Sequence, residues 1–337
     1  MLNFDEERFL RIQSGAVGLA GRIDAIVAAA LAEGRDNLHL VGAGGVAYLL
    51  QPAVELMRRS SRFPVYSDKI AELMAQDSAN LNARSLVFLT SLSGTTKESV
   101  AFLEFARAKG AKVVTLVGHA DTPLGRDADE TLVNFAADDT SCENYYVQSL
   151  LVALSIMHHR GEIDDHAALM AELALLPAQL LAIKRQVEPV AGDFARIIAG
   201  ADYHIFTGAG NVWTEAHYYA MCILEEMQWI RTRPVHASDF FHGTLELVEK
   251  GVSVILFKGE DACRPLADRV ENFVPKVEGA LTVLDTANFA TEGLSPRLRA
   301  LLSPAFLATA LERISAHLEV LRDHPLTTRR YYRRVEY

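Results

Sequence analysis

Ser91, Ser93, Thr95 and Thr96 crowd around Gly94 in the stretch Val87-Phe88-Leu89-Thr90-Ser91-Leu92-Ser93-Gly94-Thr95-Thr96-Lys97-Glu98-Ser99-Val100. Hydroxyls gathered at one glycine can wrap a phosphate dianion as neutral donors, with no lysine required. Serine and threonine also cap helices, but this many around one glycine exceed what a cap needs. A second constellation lies far downstream. Met221-Cys222-Ile223-Leu224-Glu225-Glu226-Met227-Gln228-Trp229 carries adjacent glutamates in an apolar setting, and His236 and His242 follow it. A carboxylate among apolar residues is expected to resist ionisation and can act as a base. A histidine can donate or accept a proton near neutral pH. Glu226 and His242 are therefore the expected pair for proton transfer on a sugar carbon, with His236 ranked below His242 and Glu225 read as the solvated neighbour. Taken singly, each of these residues favours a structural role; Glu226 and His242 beside a phosphate-binding half turn the balance toward chemistry.

The elements around these residues point the same way. Ser85 to Thr90 is a short apolar, β-branched run that suits a buried strand. From Thr95 onward, Val100, Phe102, Leu103 and Phe105 give a helix its apolar side. The hydroxyls thus fall at a strand-to-helix turn, where unpaired N–H groups and the positive dipole end favour an anion. Leu38 to Val41 is another strand, followed by Gly42-Ala43-Gly44-Gly45. Phe63-Pro64-Val65-Tyr66 reads as an edge strand, because proline cannot sit in a central ladder. Val113 to Gly118 and Thr131 to Phe135 complete the set. Residues 4–33 have the spacing of one helix, and 143–187 is mostly helical with a break near 161–165. This alternation predicts an α/β fold with a doubly wound parallel sheet.

The pattern then repeats. Gly34-x7-Gly42-Ala43-Gly44 matches Gly200-x7-Gly208-Ala209-Gly210. Three further landmarks recur in the same order: Phe63–Ser67 with Arg233–Ser238, Leu86–Leu89 with Val254–Phe257, and Gly110–Val114 with Gly279–Val283. An internal duplication is expected. It gives subdomains at 1–160 and 196–325, a helical connection at 161–195 and a tail at 326–337. Opposite the hydroxyl loop, the second copy has Phe257-Lys258-Gly259-Glu260-Asp261, whose carboxylates would repel a phosphate. Only the first copy is expected to bind one. Lys258 could reach an anion, but Glu260 and Asp261 oppose it. The basic, tyrosine-rich tail Arg329-Arg330-Tyr331-Tyr332-Arg333-Arg334 is expected to pack, as a lid over an anionic site or across to a partner subunit.

The 337 residues are half apolar and carry a net charge of −10. That charge argues against nucleic acid as the main partner. No uninterrupted apolar run reaches the ~18 residues of a membrane span. The opening Met-Leu-Asn-Phe-Asp-Glu-Glu-Arg is no signal segment, so a cytoplasmic protein with no membrane partner is expected. Cys142, Cys222 and Cys263 are too scattered for a disulfide framework or a zinc site. His158-His159 point in different directions on a helix and suggest no metal.

Ser91-Leu92-Ser93-Gly94-Thr95-Thr96-Lys97-Glu98 resembles the sugar-phosphate loop of the sugar isomerase (SIS) domain. Two such domains in tandem resemble the isomerase half of glutamine–fructose-6-phosphate aminotransferase. The sequence shows no glutaminase segment and no opening nucleophilic cysteine, so glutamine-dependent amination is not expected. Glu226-x15-His242-Gly243 resembles that family's base and ring-opening histidine. Leu224–Trp229, Phe240-Phe241-His242-Gly243-Thr244-Leu245-Glu246-Leu247 and Arg329-Arg330-Tyr331-Tyr332 look like the fructoselysine and glucoselysine 6-phosphate deglycases.

The resemblance implies tandem SIS subdomains and cleavage of a 6-phosphorylated sugar–amine to hexose 6-phosphate and free amine. It implies no metal or organic cofactor. It also implies a homodimer with shared active sites, the histidine coming from the neighbouring subunit. Substrate-binding residues are then Ser91, Ser93, Gly94, Thr95, Thr96, Gly44, Gly45, Glu143 and Arg330. One departure stands out: Gly42-Ala43-Gly44-Gly45-Val46 lacks the hydroxyl that many SIS proteins carry there, so contact would be through backbone N–H groups. The alternatives on this scaffold are a glucosamine-6-phosphate deaminase, a sugar-phosphate isomerase and a non-catalytic sugar-phosphate sensor. The retained Glu226–His242 pair and the absence of a helix-turn-helix before residue 34 favour the enzyme.

Overall fold

The computed structural model describes residues 1–136, 142–332 and 334–336. Contacts divide the chain into two units, Glu6–Ala178 and Gln179–Tyr337, the latter including Met1–Asp5.

In the first unit the strands are β1 (Asn37–Gly42), β2 (Val65–Tyr66), β3 (Ser85–Ser91), β4 (Lys112–Val117) and β5 (Glu130–Val133). They form one parallel sheet in the order β2-β1-β3-β4-β5. Every residue of β3 is buried, as a central parallel strand covered on both faces requires. That burial explains why Leu86 to Leu89 reads as a continuous apolar run rather than an alternating one. The proline-led β2 does lie at an edge. Val41, Val87, Leu89, Phe102, Leu103 and Val113 form part of the core on one face of the sheet.

The expected helix over 4–33 is two helices, Glu6–Gly18 and Ala20–Ala32. As one stretch, Glu6–Ala32 is long and apolar enough to cross a membrane by length and composition. Within the unit, both helices pack against Glu143–His159, with Ile12, Ile23 and Val27 buried. Asp24 ties the pair polarly: its carboxylate accepts a 2.8 Å bond from the Ser155 hydroxyl and lies 2.9 Å from His159 Nε2.

The second unit carries β6 (Tyr203–Gly208), β7 (Arg231–His236), β8 (Ser253–Lys258) and β9 (Ala280–Asp285). They too are all parallel, in the order β7-β6-β8-β9. This repeats the order of β2-β1-β3-β4 strand for strand, as the duplicated landmarks predict. The long helix Leu176–Ala199, from Gln179 onward, and Pro296–Leu321 also belong to the unit. The expected helix at 221–229 takes another form. An α-helical turn at Trp213–Tyr218 widens into a π-helix at Tyr219–Glu225 and closes with a short α turn at Glu226–Gln228. Trp229 then takes a left-handed conformation, φ +55°, and the Ile230 N–H reaches back to the Leu224 carbonyl at 2.9 Å.

Candidate active site

The chain leaves β1 toward β2 on one side of the first sheet, and leaves β3 toward β4 on the other. The two connections part between β1 and β3, which are neighbours with Gly42 opposite Thr90. A crevice at such a reversal, outside the carboxyl ends of the strands, is where α/β sheets bind ligands. Both phosphate-loop candidates sit there: 42–45 follows β1 and 92–96 follows β3.

The hydroxyl loop is a shaped turn. Gly94 N–H donates to Ser91 Oγ at 3.2 Å, and Thr95 N–H donates to Ser93 Oγ at 3.3 Å. Thr96 is the cap of the helix Lys97–Ala108 but makes no side-chain cap bond. The first intrahelical bond runs from Val100 N–H to the Thr96 carbonyl. The N–H groups of residues 97–99 therefore precede the ladder and face the helix mouth. Ser91 is buried and Thr95 exposed, so the hydroxyls line the turn from floor to rim. Gly94 has φ +61°, and a Cβ there would stand 2.2 Å from Thr122 Oγ1.

Thr122 is a residue that sequence reasoning missed. Its hydroxyl accepts from Gly125 N–H at 3.1 Å and donates to the His119 carbonyl at 3.0 Å. The segment after β4 also holds the loop directly, through Gly118 N–H to the Leu92 carbonyl and Leu124 N–H to the Gly94 carbonyl. The Thr122-Pro123 pair, a cap followed by an N1 proline, was the available signal.

Gly44 has φ +61°, and a Cβ built on it would meet no atom within 4 Å. Gly45 caps the short turn that follows. Their counterparts in the second unit differ. Gly210 has φ +63°, but a Cβ there would lie 2.2 Å from Asp261 Oδ2. The Asp261 carboxylate accepts from Asn211 N–H and Cys263 N–H, each at 2.8 Å. It thus satisfies N–H groups from both loops of the second crevice with the chain's own anion.

The other charges nearby are also paired internally. Glu260 accepts from Arg299 Nε and Nη2 at 2.9 and 2.8 Å, and Arg264 pairs with Asp285. Lys258, considered as an anion ligand, is buried between Asp268 and Glu271. Burial lowers its proton affinity, but the two carboxylates outweigh that and hold its ammonium above the ordinary lysine value.

Glu226 begins the α turn that follows the π-helix, and its side chain is 41% exposed. The expected apolar surroundings are not what the structure shows. Arg329 of the C-terminal segment donates from Nε to Glu226 Oε1 at 2.9 Å. Glu225 accepts from the Thr232 hydroxyl at 2.5 Å. His242 ends the turn Asp239–His242 and is exposed. His236 Nδ1 lies 2.6 Å from Ser238 Oγ, and its ring meets Trp213 edge to face.

Arg330, expected at the substrate, lies over the Trp229 ring at 4.1 Å. Arg333 and Tyr337 fall outside the described residues. Glu143 is the first residue of its helix and wholly buried, with Gln13 Nε2 3.4 Å from Oε2. A separate cavity of about 560 Å³ is lined by Arg59, Ser60, Ser61, Arg62, Arg160 and Glu162. It lies just before β2, at the amino-terminal end of the sheet and away from the crevice, and Glu162 already accepts from Arg62 N–H and Arg160 Nε.

Two parallel α/β sheets, the first with a hydroxyl loop at its switch point, define a phosphosugar-isomerase type of fold. Residues 34–158 match the SIS domain family. Over 308 residues it is 29% identical to the fructosamine deglycase FrlB of Bacillus subtilis (strain 168), covering 90% of this chain and 93% of that protein. It is 26% identical to the fructoselysine 6-phosphate deglycase of Escherichia coli (strain K12), covering 92% and 89%. A solved structure from Salmonella typhimurium LT2, described as a phosphosugar isomerase, superposes with a TM-score of 0.85 at 28% identity, covering 96% and 97%.

Proposed function

We propose that this protein is a cytoplasmic deglycase that cleaves a 6-phosphorylated sugar–amine adduct, fructoselysine 6-phosphate or glucoselysine 6-phosphate, to a hexose 6-phosphate and the free amine. The observation that carries the reading is the hydroxyl loop 91–96 at the β1/β3 switch point, in a chain whose relatives are named deglycases over nearly their whole length. The loop and the turn at Gly44 and Gly45 hold the phosphate and so orient the sugar carbons. Glu226, as base, moves a proton between C1 and C2 through an enaminol. His242 assists ring opening or returns the proton. For a 1-amino-1-deoxyketose the product is a C1 imine. Water adds to it, the amine departs, and glucose 6-phosphate remains. For a 2-amino-2-deoxyaldose the imine forms at C2 and the sugar product is fructose 6-phosphate. Glu143 and Arg330 are assigned to substrate binding, and the active species is a homodimer sharing its sites.

The test supplies fructoselysine 6-phosphate and glucoselysine 6-phosphate separately and measures hexose phosphate and free lysine. Glucose 6-phosphate from the first, or fructose 6-phosphate from the second, is the expected outcome. Ammonia from glucosamine 6-phosphate with no lysine release would replace the reading with a deaminase. Tight binding without turnover of any of the three would leave a sensor. Mixing inactive Glu226→Gln and His242→Ala homodimers should restore part of the activity if each site takes its histidine from the neighbour.

A further inference from the structure

The C-terminal segment is fastened to Glu226–Trp229 by a set of specific contacts. Arg322 Nη1 donates to the Gln228 carbonyl at 2.8 Å, and Gln228 Nε2 donates to the His324 carbonyl at 2.6 Å. The His324 ring meets Trp229 edge to face at 4.5 Å, and Arg330 covers the same indole. Between these anchors, Arg329 spends its donors in two directions. Nη1 donates to the carbonyls of Leu326 at 2.6 Å and Thr328 at 3.0 Å, while Nε donates to Glu226 Oε1 at 2.9 Å. The guanidinium is thus oriented by its own backbone before it meets the carboxylate. Its side chain is 16% exposed against 41% for Glu226, so the fixed partner is the arginine.

We propose that Arg329 is a positioning residue for Glu226: the tail holds the guanidinium in place, and the guanidinium aims one carboxylate oxygen and keeps the group charged. The proposal rests on the reading of Glu226 as the base. An arginine stays protonated at every working pH, so its effect does not switch off as the solution is acidified. An adjacent cation favours the charged carboxylate. A base held this way stays competent at lower pH.

Several other charged groups on the packed elements are engaged elsewhere or exposed. Glu225 on the same helix takes the Thr232 hydroxyl. On β7, Arg233 donates to the Thr244 hydroxyl and Arg231 is exposed. In the tail, Arg322 holds the Gln228 carbonyl, His324 packs on Trp229, and Arg330 stacks on the indole.

The test uses the full chain labelled with carboxyl-13C glutamate. The Glu226 resonance is assigned by its loss in Glu226→Gln, and its titration is followed in the wild type, Arg329→Gln, Arg329→Ala and Arg329→Lys. The Gln and Ala variants should raise the midpoint by roughly half to one pH unit, a shift discounted for solvent screening. Lys should restore it while leaving kcat below wild type, because it supplies charge without the fork. The acid limb of kcat/KM should move with the midpoint. An unmoved midpoint in either neutral variant, folded by circular dichroism, overturns the proposal. If Glu226→Gln retains full turnover, Glu226 is not the base and the positioning role falls with that reading. If Glu226→Gln is inactive but the acid limb ignores Arg329, the base stands and the positioning role is overturned.

Discussion

Glu226 and Gly94 show how much a single residue is asked to do. Replacing Glu226 with Gln removes the proposed base and keeps the shape. Turnover should fall about a hundredfold or more, while ligand affinity measured by calorimetry stays close to wild type. Loss of binding together with turnover would count against the role. Gly94→Ala tests the loop. Its φ of +61° disfavours any Cβ, and that Cβ would collide with Thr122 Oγ1. Stability measured by urea denaturation should drop by about 1–3 kcal/mol, and phosphate-bearing ligands should bind more weakly. A variant with unchanged affinity would remove the loop from the site. Both residues stand out in the sequence because their type is unusual for their place: a glycine ringed by hydroxyls, and a carboxylate in an apolar run. Arg329 and Thr122 were not legible as partners. Their effect comes from contacts across 103 and 28 positions, which no local spacing encodes.

At the scale of elements, the two crevices are one device in two states. The first sheet ends in a loop of hydroxyls, and the second ends in a loop whose own carboxylate takes N–H groups from Asn211 and Cys263. Asp261→Ala leaves both donors without that acceptor, so it should destabilise the fold by about 1–3 kcal/mol. Urea midpoints would show it, and an unchanged midpoint would make the internal anion incidental. The sequence comparison of the copies anticipated the carboxylates but read them only as repelling a ligand. Their more local role, filling the crevice and bonding its backbone, needed the folded loops to be seen. The helix before Trp229 gave the opposite lesson. Its apolar composition reads as an ordinary α-helix, yet residues 219–225 are wound as a π-helix. The stretch packs against β7, a contact that its composition does not encode. Such widened turns occur often at functional sites.

For the whole molecule, the first residues are part of the second unit. Leu2 N–H donates to Glu188 Oε1 at 2.6 Å, and Arg313, wholly buried, pairs with Glu188 Oε2 at 2.7 Å. Burial by itself would raise the Glu188 carboxyl, but the Arg313 guanidinium, the Leu2 N–H and His317 outweigh it and hold the group at about 2, against an ordinary 4.5. A carboxyl with a lowered folded value stabilises the fold above the unfolded value and loses that contribution as pH falls through the folded one. Stability should therefore decline between about pH 4.5 and 2, with a contribution on the order of 2 kcal/mol from this group. Glu188→Gln should be less stable at pH 7 and show a flatter acid limb in thermal melts. Parallel curves for the two proteins would remove Glu188 as the cause.

The α/β class, the duplication, the strand order at its landmarks and the hydroxyl loop were all determined by the sequence. Each is written in periodicity, in glycine placement, or in residues adjacent along the chain. The split of the first helix at Leu19, the π-helix, the Asp261 anion, the exposure of Glu226 and its pairing with Arg329 were decided by tertiary structure. The Asp261 anion and the Glu226–Arg329 pair join groups distant in the chain, which local spacing does not encode.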